Sequence, residues 1–102
     1  LETFGTTGLL RSVVVDEARR GAGLGRALVE HIERAAADRG MTRLVLLTET
    51  AREFFLGLGY ADFPRDAAPE AVRGSAEFRA LCPQTAHCML KRIGRNPGPN
   101  PG

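Results

Sequence analysis

Arg20-Gly21-Ala22-Gly23-Leu24-Gly25 separates an apolar run at residues 9–15 from a helical pattern that opens at Arg26. Its three glycines allow the backbone to turn tightly and to approach a ligand without interference from Cβ atoms. The first amides of the following helix have no intrahelical acceptors and lie at the positive end of the helix dipole. Arg19, Arg20 and Arg26 add positive charge at the same place. The stretch therefore predicts a phosphate site, with a glycine turn that binds nothing as the alternative.

Spacing excludes two common phosphate-binding motifs. A G-x-G-x-x-G fingerprint starting at Gly21 requires glycine at position 26, which is Arg26. A P-loop requires Gly-Lys before Ser or Thr, and the only lysine in the chain is Lys91. The pattern that remains is R-x-x-G-x-G, from Arg20 to Gly25.

Composition indicates one small globular domain. The chain has 102 residues, of which 43% are hydrophobic and 25% charged. A formal net charge of +2 does not favour a nucleic-acid partner, and no apolar run is long enough to span a membrane. Two cysteines do not make a disulfide framework, which favours a cytoplasmic location. Residues 94–102 have no apolar anchor, so we expect a disordered tail after a domain at residues 1–93.

Hydrophobic periodicity predicts a βαβ unit around the glycine stretch. Residues 9–15 are nearly continuously apolar, which is typical of a buried central strand. Residues 26–39 repeat apolar side chains at three- and four-residue spacing, which predicts an amphipathic helix ending at Gly40. Residues 43–48 predict a second buried strand, parallel to the first.

Weaker patterns flank this unit. A strand tail at residues 1–3 is followed by a turn at 5–8. Thr50 and Glu53 fit a capping box for a helix over residues 51–58, with Gly59 as its end. Further along, the pattern predicts a strand at 60–63, helices at 69–73 and 76–81, and an antiparallel strand at 86–91.

Three segments in this order resemble the GNAT superfamily of N-acetyltransferases. They are residues 10–28 with the R-G-A-G-L-G loop, residues 44–60 with F-F-L-G-L-G-Y, and residues 75–83. The third segment, with L-L-R-S-V-V-V and L-L-T-E-T-A, is similar to acetyltransferases of arsenic-resistance gene clusters. The resemblance implies a mixed α/β sheet with a βαβ core, two splayed parallel strands and C-terminal antiparallel strands. The strands and helices that the superfamily places before this core are missing.

The resemblance also implies a site for acetyl-CoA and no metal. Backbone groups of Val13, Val14 and Val15 would bond the pantetheine arm, and Val13 would supply an oxyanion donor. The pyrophosphate would lie on Arg20, Gly21, Ala22, Gly23, Leu24, Gly25 and Arg26. Thr48 stands where the superfamily often has asparagine and would bind the cofactor, and Ala51, Phe54 and Phe55 would line its thiol end.

The implied reaction is direct attack of a small molecule's primary amine on the thioester, with both reactants bound together. Glu49 is the candidate base, with Glu77 and His87 as further candidates. The superfamily's usual tyrosine acid corresponds to Phe55, which carries no proton, although a thiol with a pKa of about 8.5 leaves without help. Tyr60, the only tyrosine, is predicted to pack in the core.

Other interpretations stay open. The chain could be a non-catalytic CoA-binding or interaction domain, or a general nucleotide-phosphate binder. In the superfamily, the strands and helices before this core enclose the site of the acceptor amine. Their absence here would be explained by a truncated domain, or by a homodimer in which a second chain pairs with the exposed strand edge and supplies that wall. Cys82 and Cys88 are predicted to be buried reduced thiols, with capture of a thiophilic substrate as the alternative.

Overall fold

The computed structural model describes residues 1–20, 23–80 and 86–94. Its strands are β1 (Glu2–Phe4), β2 (Thr7–Leu10), β3 (Arg43–Thr48), β4 (Ala61–Asp62) and β5 (His87–Arg92). Its α-helices are α1 (Ser12–Arg20), α2 (Gly23–Asp38), α3 (Arg52–Leu56), α4 (Glu70–Arg73) and α5 (Ala76–Ala80). A short 3-10 turn covers Arg65–Ala67.

The five strands form one mixed sheet in the order β1-β2-β3-β5-β4. β2 and β3 are parallel, and the other neighbours are antiparallel. In β3 every residue from Leu44 to Thr48 is buried, because helices cover both faces of the sheet. The predicted mixed sheet with a parallel pair and C-terminal antiparallel strands is confirmed.

The sheet separates two apolar cores. On one face α1, α2 and α3 cover Leu10, Leu44 and Leu46. On the other face α4 and α5 supply Val72 and Phe78 to a second cluster with Leu9, Val45 and Leu47. Alternate residues of β3 therefore contribute to opposite cores, as the period of a strand requires.

The predicted strand at residues 9–15 is wrong beyond Leu10. Residues 12–20 form α1, in which the Val15 amide donates to the Arg11 carbonyl at 3.0 Å. Val15 and Ala18 are buried while the residues between and after them are exposed, so one helical face packs on the core. This burial outweighs the strand preference of three consecutive valines.

The predicted capping box is also wrong. α3 begins at Arg52 with Ala51 as its N-cap, and no side chain caps that end. The Thr48 hydroxyl accepts the Ala51 amide at 2.9 Å instead. A buried strand end therefore shapes this turn, and Thr50 does not.

Most helix ends agree with the sequence signals. Gly40 and Gly59 have φ of +90° and +96°, the left-handed conformation expected after a helix. Gly74 separates α4 from α5, and the Ser75 hydroxyl accepts the Phe78 amide at 3.3 Å as an N-cap. α2 begins earlier than predicted. The end of the helix predicted over 76–81, Cys82, and the tail beyond Gly94 lie outside the described residues.

Candidate functional site

In the parallel pair, β2 ends before β3 does. Their pairing stops at Leu10 with Leu46, after which the chain leaves β2 for α1. β3 continues through Leu47 and Thr48, still paired with β5 on its other side. β3 therefore extends two residues past β2, at the end of the parallel pair where α/β folds place ligands.

The start of α2 offers an open, positive surface. A Cβ atom built on Gly23 would meet no other atom within 4 Å, and the first turn of α2 has no acidic residue. Arg19 and Arg20 are exposed in the last turn of α1, and Leu24 is 81% exposed. Gly21 and Ala22, which belong to the predicted loop, lie outside the described residues. Free amides, the helix dipole and these arginines suit a diphosphate.

Arg26 and Gly25 have structural partners in the same helix turn. Arg26 Nε donates to Glu30 at 3.3 Å on the exposed side of α2. Gly25 is buried, and a Cβ on it would overlap the Ala18 carbonyl. The close crossing of α1 and α2 therefore requires glycine at this position, independently of any ligand.

The structure does not place Val13, Val14 and Val15 on an extended strand. All three lie in α1, where the Val15 amide is already bonded within the helix. A helix does not present the row of unpaired backbone groups that an extended strand offers to a pantetheine arm. The predicted backbone bonds from these valines, and the predicted oxyanion donor at Val13, therefore do not follow from this structure. The reason is the helical burial of Val15 described above.

Thr48, Glu49 and Ala51 lie at the carboxyl end of β3 and in the turn that follows it. Thr48 is buried, and its hydroxyl accepts the amides of Ala51 at 2.9 Å and Thr50 at 3.3 Å. Ala51 is buried in the core beneath α3. Glu49 follows directly after β3 and is exposed, so its carboxylate lies at the strand end where a base is expected.

The two phenylalanines of α3 have different surroundings. Phe55 has no exposed surface and makes edge-to-face contacts with Phe54 and Tyr60, at centroid distances of 5.0 and 5.2 Å. Phe54 is partly buried at the rim of the same core. Phe55 is thus a core residue in this structure, whereas Phe54 retains an accessible edge.

A hydrogen-bonded charge cluster connects α2 to the strands beside it. Lys91 Nζ donates to both Glu33 oxygens, at 3.1 and 3.2 Å, and to the Leu58 carbonyl at 2.9 Å. Tyr60 donates its hydroxyl proton to Glu33 at 2.9 Å. Burial, together with the Glu33 carboxylate, raises the pKa of Tyr60 above its ordinary value.

The predicted burial of Tyr60 is confirmed, whereas the hydrogen-bonded, largely buried position of Glu33 was not predicted. The signal was present: Glu33 lies four residues after Val29 and three before Ala36, on the buried stripe of α2. A carboxylate on such a stripe requires a buried partner. Lys91 and Tyr60 provide it.

A groove borders β5 where its pairing with β4 ends. Its volume is about 300 Å³, and it is lined by Asp62, Phe63, Arg65, Ala86, His87 and Cys88. Arg52 Nε donates to both oxygens of Asp62, at 3.0 and 3.2 Å, and this bonding lowers the pKa of that carboxyl. Burial raises the pKa of the Cys88 thiol to about 11. Cys88 is buried, as predicted.

Residues 1–20, 23–80 and 86–94, which the structure describes, hold neither a cluster of metal-ligating side chains nor a helix suited to a membrane. Within them, no group of three or more His, Cys, Asp and Glu side chains is placed to hold a metal ion. None of the helices there has the length and apolar character needed to cross a membrane.

The family follows from comparison of the sequence with known proteins. The family model described as "Acetyltransferase (GNAT) domain" matches residues 1–62. The chain belongs to the GNAT acetyltransferase family. It is also 44% identical over 93 residues to mouse N-alpha-acetyltransferase 80. That match covers 91% of the chain but only 27% of the mouse protein.

Solved GNAT structures share the fold. N-acetylglutamate synthase from Neisseria gonorrhoeae, complexed with coenzyme A and N-acetyl-glutamate, matches with a TM-score of 0.61 and 29% identity. The same enzyme with coenzyme A and L-arginine matches with a TM-score of 0.58 and 27% identity. Each match covers 72% of this chain and 16% of the neighbour. The predicted cofactor agrees with these neighbours, since both contain coenzyme A.

Proposed function

We propose that residues 1–93 form the cofactor-binding part of an acetyl-CoA-dependent N-acetyltransferase, which acetylates a primary amine by direct attack in a ternary complex. The observation that carries this proposal is the open N-terminus of α2, in a chain of the GNAT family whose strand β3 extends past the end of its parallel neighbour β2. Acetyl-CoA would supply an activated thioester. The amides and arginines at residues 19–26 would hold its diphosphate.

The residues beyond β3 would position the reacting groups. Thr48 fixes the turn at the strand end through the amides of Thr50 and Ala51. Glu49, which lies in that turn, would act as the base. Phe54 would border the thiol end. Holding the amine and the thioester together removes much of the entropic barrier.

We propose a small molecule carrying a primary amine as the acceptor. N-acetyl-glutamate, named with one structural neighbour, carries its acetyl group on the amine of an amino acid. The name of the mouse relative specifies an α-amine as well, and favours a second candidate, the amino terminus of a peptide. Membership of the arsenic-resistance subfamily of acetyltransferases stays a prediction.

Titration calorimetry with acetyl-CoA tests the cofactor site. Gly23→Asp adds a carboxylate in open space at the α2 N-terminus, where it favours the helix but repels a diphosphate. We expect about tenfold or greater weakening of acetyl-CoA binding. Ala35→Asp, on the exposed far part of α2, adds the same charge and serves as the control. Equal affinities for both variants would contradict the proposed site.

Thiol release measured with free amino acids, polyamines and short peptides distinguishes the alternatives. An acetyltransferase releases thiol only when an accepted amine is present. A non-catalytic CoA-binding domain would bind acetyl-CoA and release none above background. A general phosphate binder would bind ATP as tightly as CoA.

We also propose that a second copy can pair with the outer edge of β1. Glu2–Phe4 has β2 on one side, and no other described strand lies on its outer side. Such pairing would add a strand of the second copy beside β1. Sedimentation across a range of concentrations tests this, and a monomer at all concentrations contradicts it.

A further inference from the structure

We propose that Lys91 is a modification site that acyl donors reach only when α2 separates from β5, and that acetylation there weakens the contact between them. Lys91 carries the one ε-amine among the 102 residues of the chain. The inference goes beyond the function proposed above and does not depend on it, because a chemical acetyl donor reacts with amines without an enzyme.

The fold surrounds the Lys91 ammonium group with acceptors. Lys91 pairs with Leu44 of β3, so its side chain projects on the sheet face that α2 covers. Its Nζ donates to both carboxylate oxygens of Glu33, at 3.1 and 3.2 Å, and to the Leu58 carbonyl at 2.9 Å. The same nitrogen lies 5.6 Å from the centre of the Tyr60 ring. The side chain of Lys91 is 28% exposed and that of Glu33 is 13% exposed, so solvent screens this ion pair only weakly.

An amine held in this way cannot attack a carbonyl carbon. A lysine ammonium has three N–H donors and no lone pair. For acetylation, Nζ must leave its acceptors, release one proton to solvent and direct the freed lone pair at the donor's carbonyl carbon. The C–N bond then forms, and the C–S bond of a thioester or the C–O bond of an active ester breaks, with its electron pair leaving on sulfur or oxygen. Nitrogen releases a second proton as the amide is completed. The closed contact therefore withholds the ε-amine from any acyl donor, acetyl-CoA included.

An acetylated Lys91 no longer fits the closed contact. A Cβ atom built on Gly59 would lie 3.4 Å from Lys91 Cε and 3.6 Å from Nζ, so the backbone packs directly on the end of the lysine. Acetylation adds a carbonyl and a methyl group at that nitrogen and removes its charge. Glu33 would still accept from the Tyr60 hydroxyl, but its largely buried carboxylate would have lost the ammonium partner.

The test measures the acetylation rate of Lys91 in the folded full chain by peptide mass spectrometry. N-hydroxysuccinimidyl acetate is the donor, at about pH 8.5, where tyrosine keeps its proton. A synthetic peptide of residues 86–94 with a blocked amino terminus gives the rate of an unprotected lysine. We expect the folded chain to react about 10²-fold or more slowly than this peptide. Glu33→Gln should react about tenfold or more faster than the parent, because the amine loses its charged partner.

Glu30→Gln is the matched control for the Glu33 variant. Glu30 lies on the exposed side of α2 and pairs with Arg26, so its variant should react within about twofold of the parent. A folded parent that reacts at the rate of the peptide would overturn the shielding. Equal acceleration in Glu30→Gln and Glu33→Gln would overturn the role of the Glu33 contact.

A measurement on the parent sequence tests the consequence of acetylation, whatever the stability of the variants. The parent is acetylated in urea and refolded by dilution, and its urea midpoint should fall below that of a chain treated without donor. Lys91→Arg, treated in the same way, keeps a cation at this position and has no ε-amine, so donor treatment should leave its midpoint unchanged. Equal midpoints for the acetylated and unacetylated parent, or an equal fall in Lys91→Arg, would overturn the proposed effect of Lys91 acetylation.

Discussion

Phe55 has no exposed surface, and its ring lies between those of Phe54 and Tyr60. Resemblance to acetyltransferases placed this position at the thiol end of the cofactor site, where a tyrosine is common. A hydroxyl at the Phe55 ring edge would instead enter a packed apolar core. Desolvation of that hydroxyl, and not catalysis, should decide the effect of a substitution here.

We therefore expect Phe55→Tyr to lower the free energy of unfolding by about 1–3 kcal/mol. Phe54→Tyr is the matched control, because Phe54 reaches the surface of the same helix. Its hydroxyl can be hydrated, so the change should stay within about 0.5 kcal/mol. Urea unfolding of both variants provides the measurement. Equal stabilities, with faster acetyl transfer by Phe55→Tyr, would contradict the buried placement.

Single residues were predictable where one physical requirement dominated. Gly40 and Gly59 were predicted to end helices, and both adopt the left-handed backbone that glycine tolerates. Thr48 is predicted to bind the cofactor, and its hydroxyl also accepts two amides, a structural contact that the sequence does not reveal. Such a contact depends on where the next helix starts, which propensity locates only to within a few residues.

Among the secondary-structure elements, the crossing of α1 and α2 explains why glycine is required at Gly25. Residues 12–20 satisfy a strand pattern and a helix pattern at once, since consecutive valines favour strands while Val15 and Ala18 share one helical face. Tertiary packing selects the helix. Packing of α1 against α2 then requires the absence of a side chain at Gly25.

Gly25→Ala should consequently destabilise the fold by about 1–3 kcal/mol, because its methyl group would overlap the Ala18 carbonyl. Gly23→Ala faces open space at the start of the same helix. It should be neutral or stabilising by up to about 1 kcal/mol. Thermal and urea unfolding of the two variants check this difference. Equal losses of stability in Gly25→Ala and Gly23→Ala would contradict a specific packing requirement at Gly25.

The cluster of Glu33, Tyr60 and Lys91 ties α2 to β5 and to the turn before β4. Lys91→Met leaves the largely buried Glu33 carboxylate without its ammonium partner, although it still accepts from the Tyr60 hydroxyl, and should cost about 1–3 kcal/mol of stability. Arg26→Met removes the exposed Arg26–Glu30 pair and should cost no more than about 0.5 kcal/mol.

Adding Glu33→Gln to Lys91→Met should recover part of the loss, because the uncompensated charge is removed. Urea midpoints of the single and double variants measure the coupling. Simple addition of the two single effects would show that the residues act independently.

For the whole molecule, the order and type of most elements followed from the sequence, whereas their exact limits and the site geometry did not. β3 was predicted over its full length because its unbroken apolar run has one compatible environment, between two helical layers. The β5 strand was predicted, but its insertion between β3 and β4 was not. That pairing is set by long-range burial of Met89 and Cys88 on opposite faces.

Alkaline stability is a property of both cores. Burial raises the pKa of Cys88 from 9.0 to about 11, and also raises that of Tyr60 above 10.0. Above pH 9 the unfolded thiol loses its proton while the folded one keeps it, so unfolding releases a proton and stability falls with pH. The slope should approach about 1.4 kcal/mol per pH unit, and should steepen above pH 10 as unfolded Tyr60 ionises.

Urea unfolding of the parent, Cys88→Ala and Tyr60→Phe between about pH 8 and 11 tests both contributions. Cys88→Ala should be flatter between pH 9 and about 11, and Tyr60→Phe should lack the steepening above pH 10. Full stability is expected below pH 9 in the parent. A parent stability independent of pH up to 11 would contradict the burial of both groups.

β5, the last strand to be synthesised, lies between β3 and β4 in the sheet. The sheet therefore cannot form strand by strand as the chain leaves the ribosome. Newly synthesised β3 can pair with β2 immediately, but its other edge has no partner strand until residues 87–92 have emerged. Until then Val45 and Leu47 lie beside an unsatisfied backbone edge, which invites capture by other nascent chains. Translation arrested before residue 87 should accordingly leave a polypeptide that associates with holdase chaperones, and release from them should follow extension through β5.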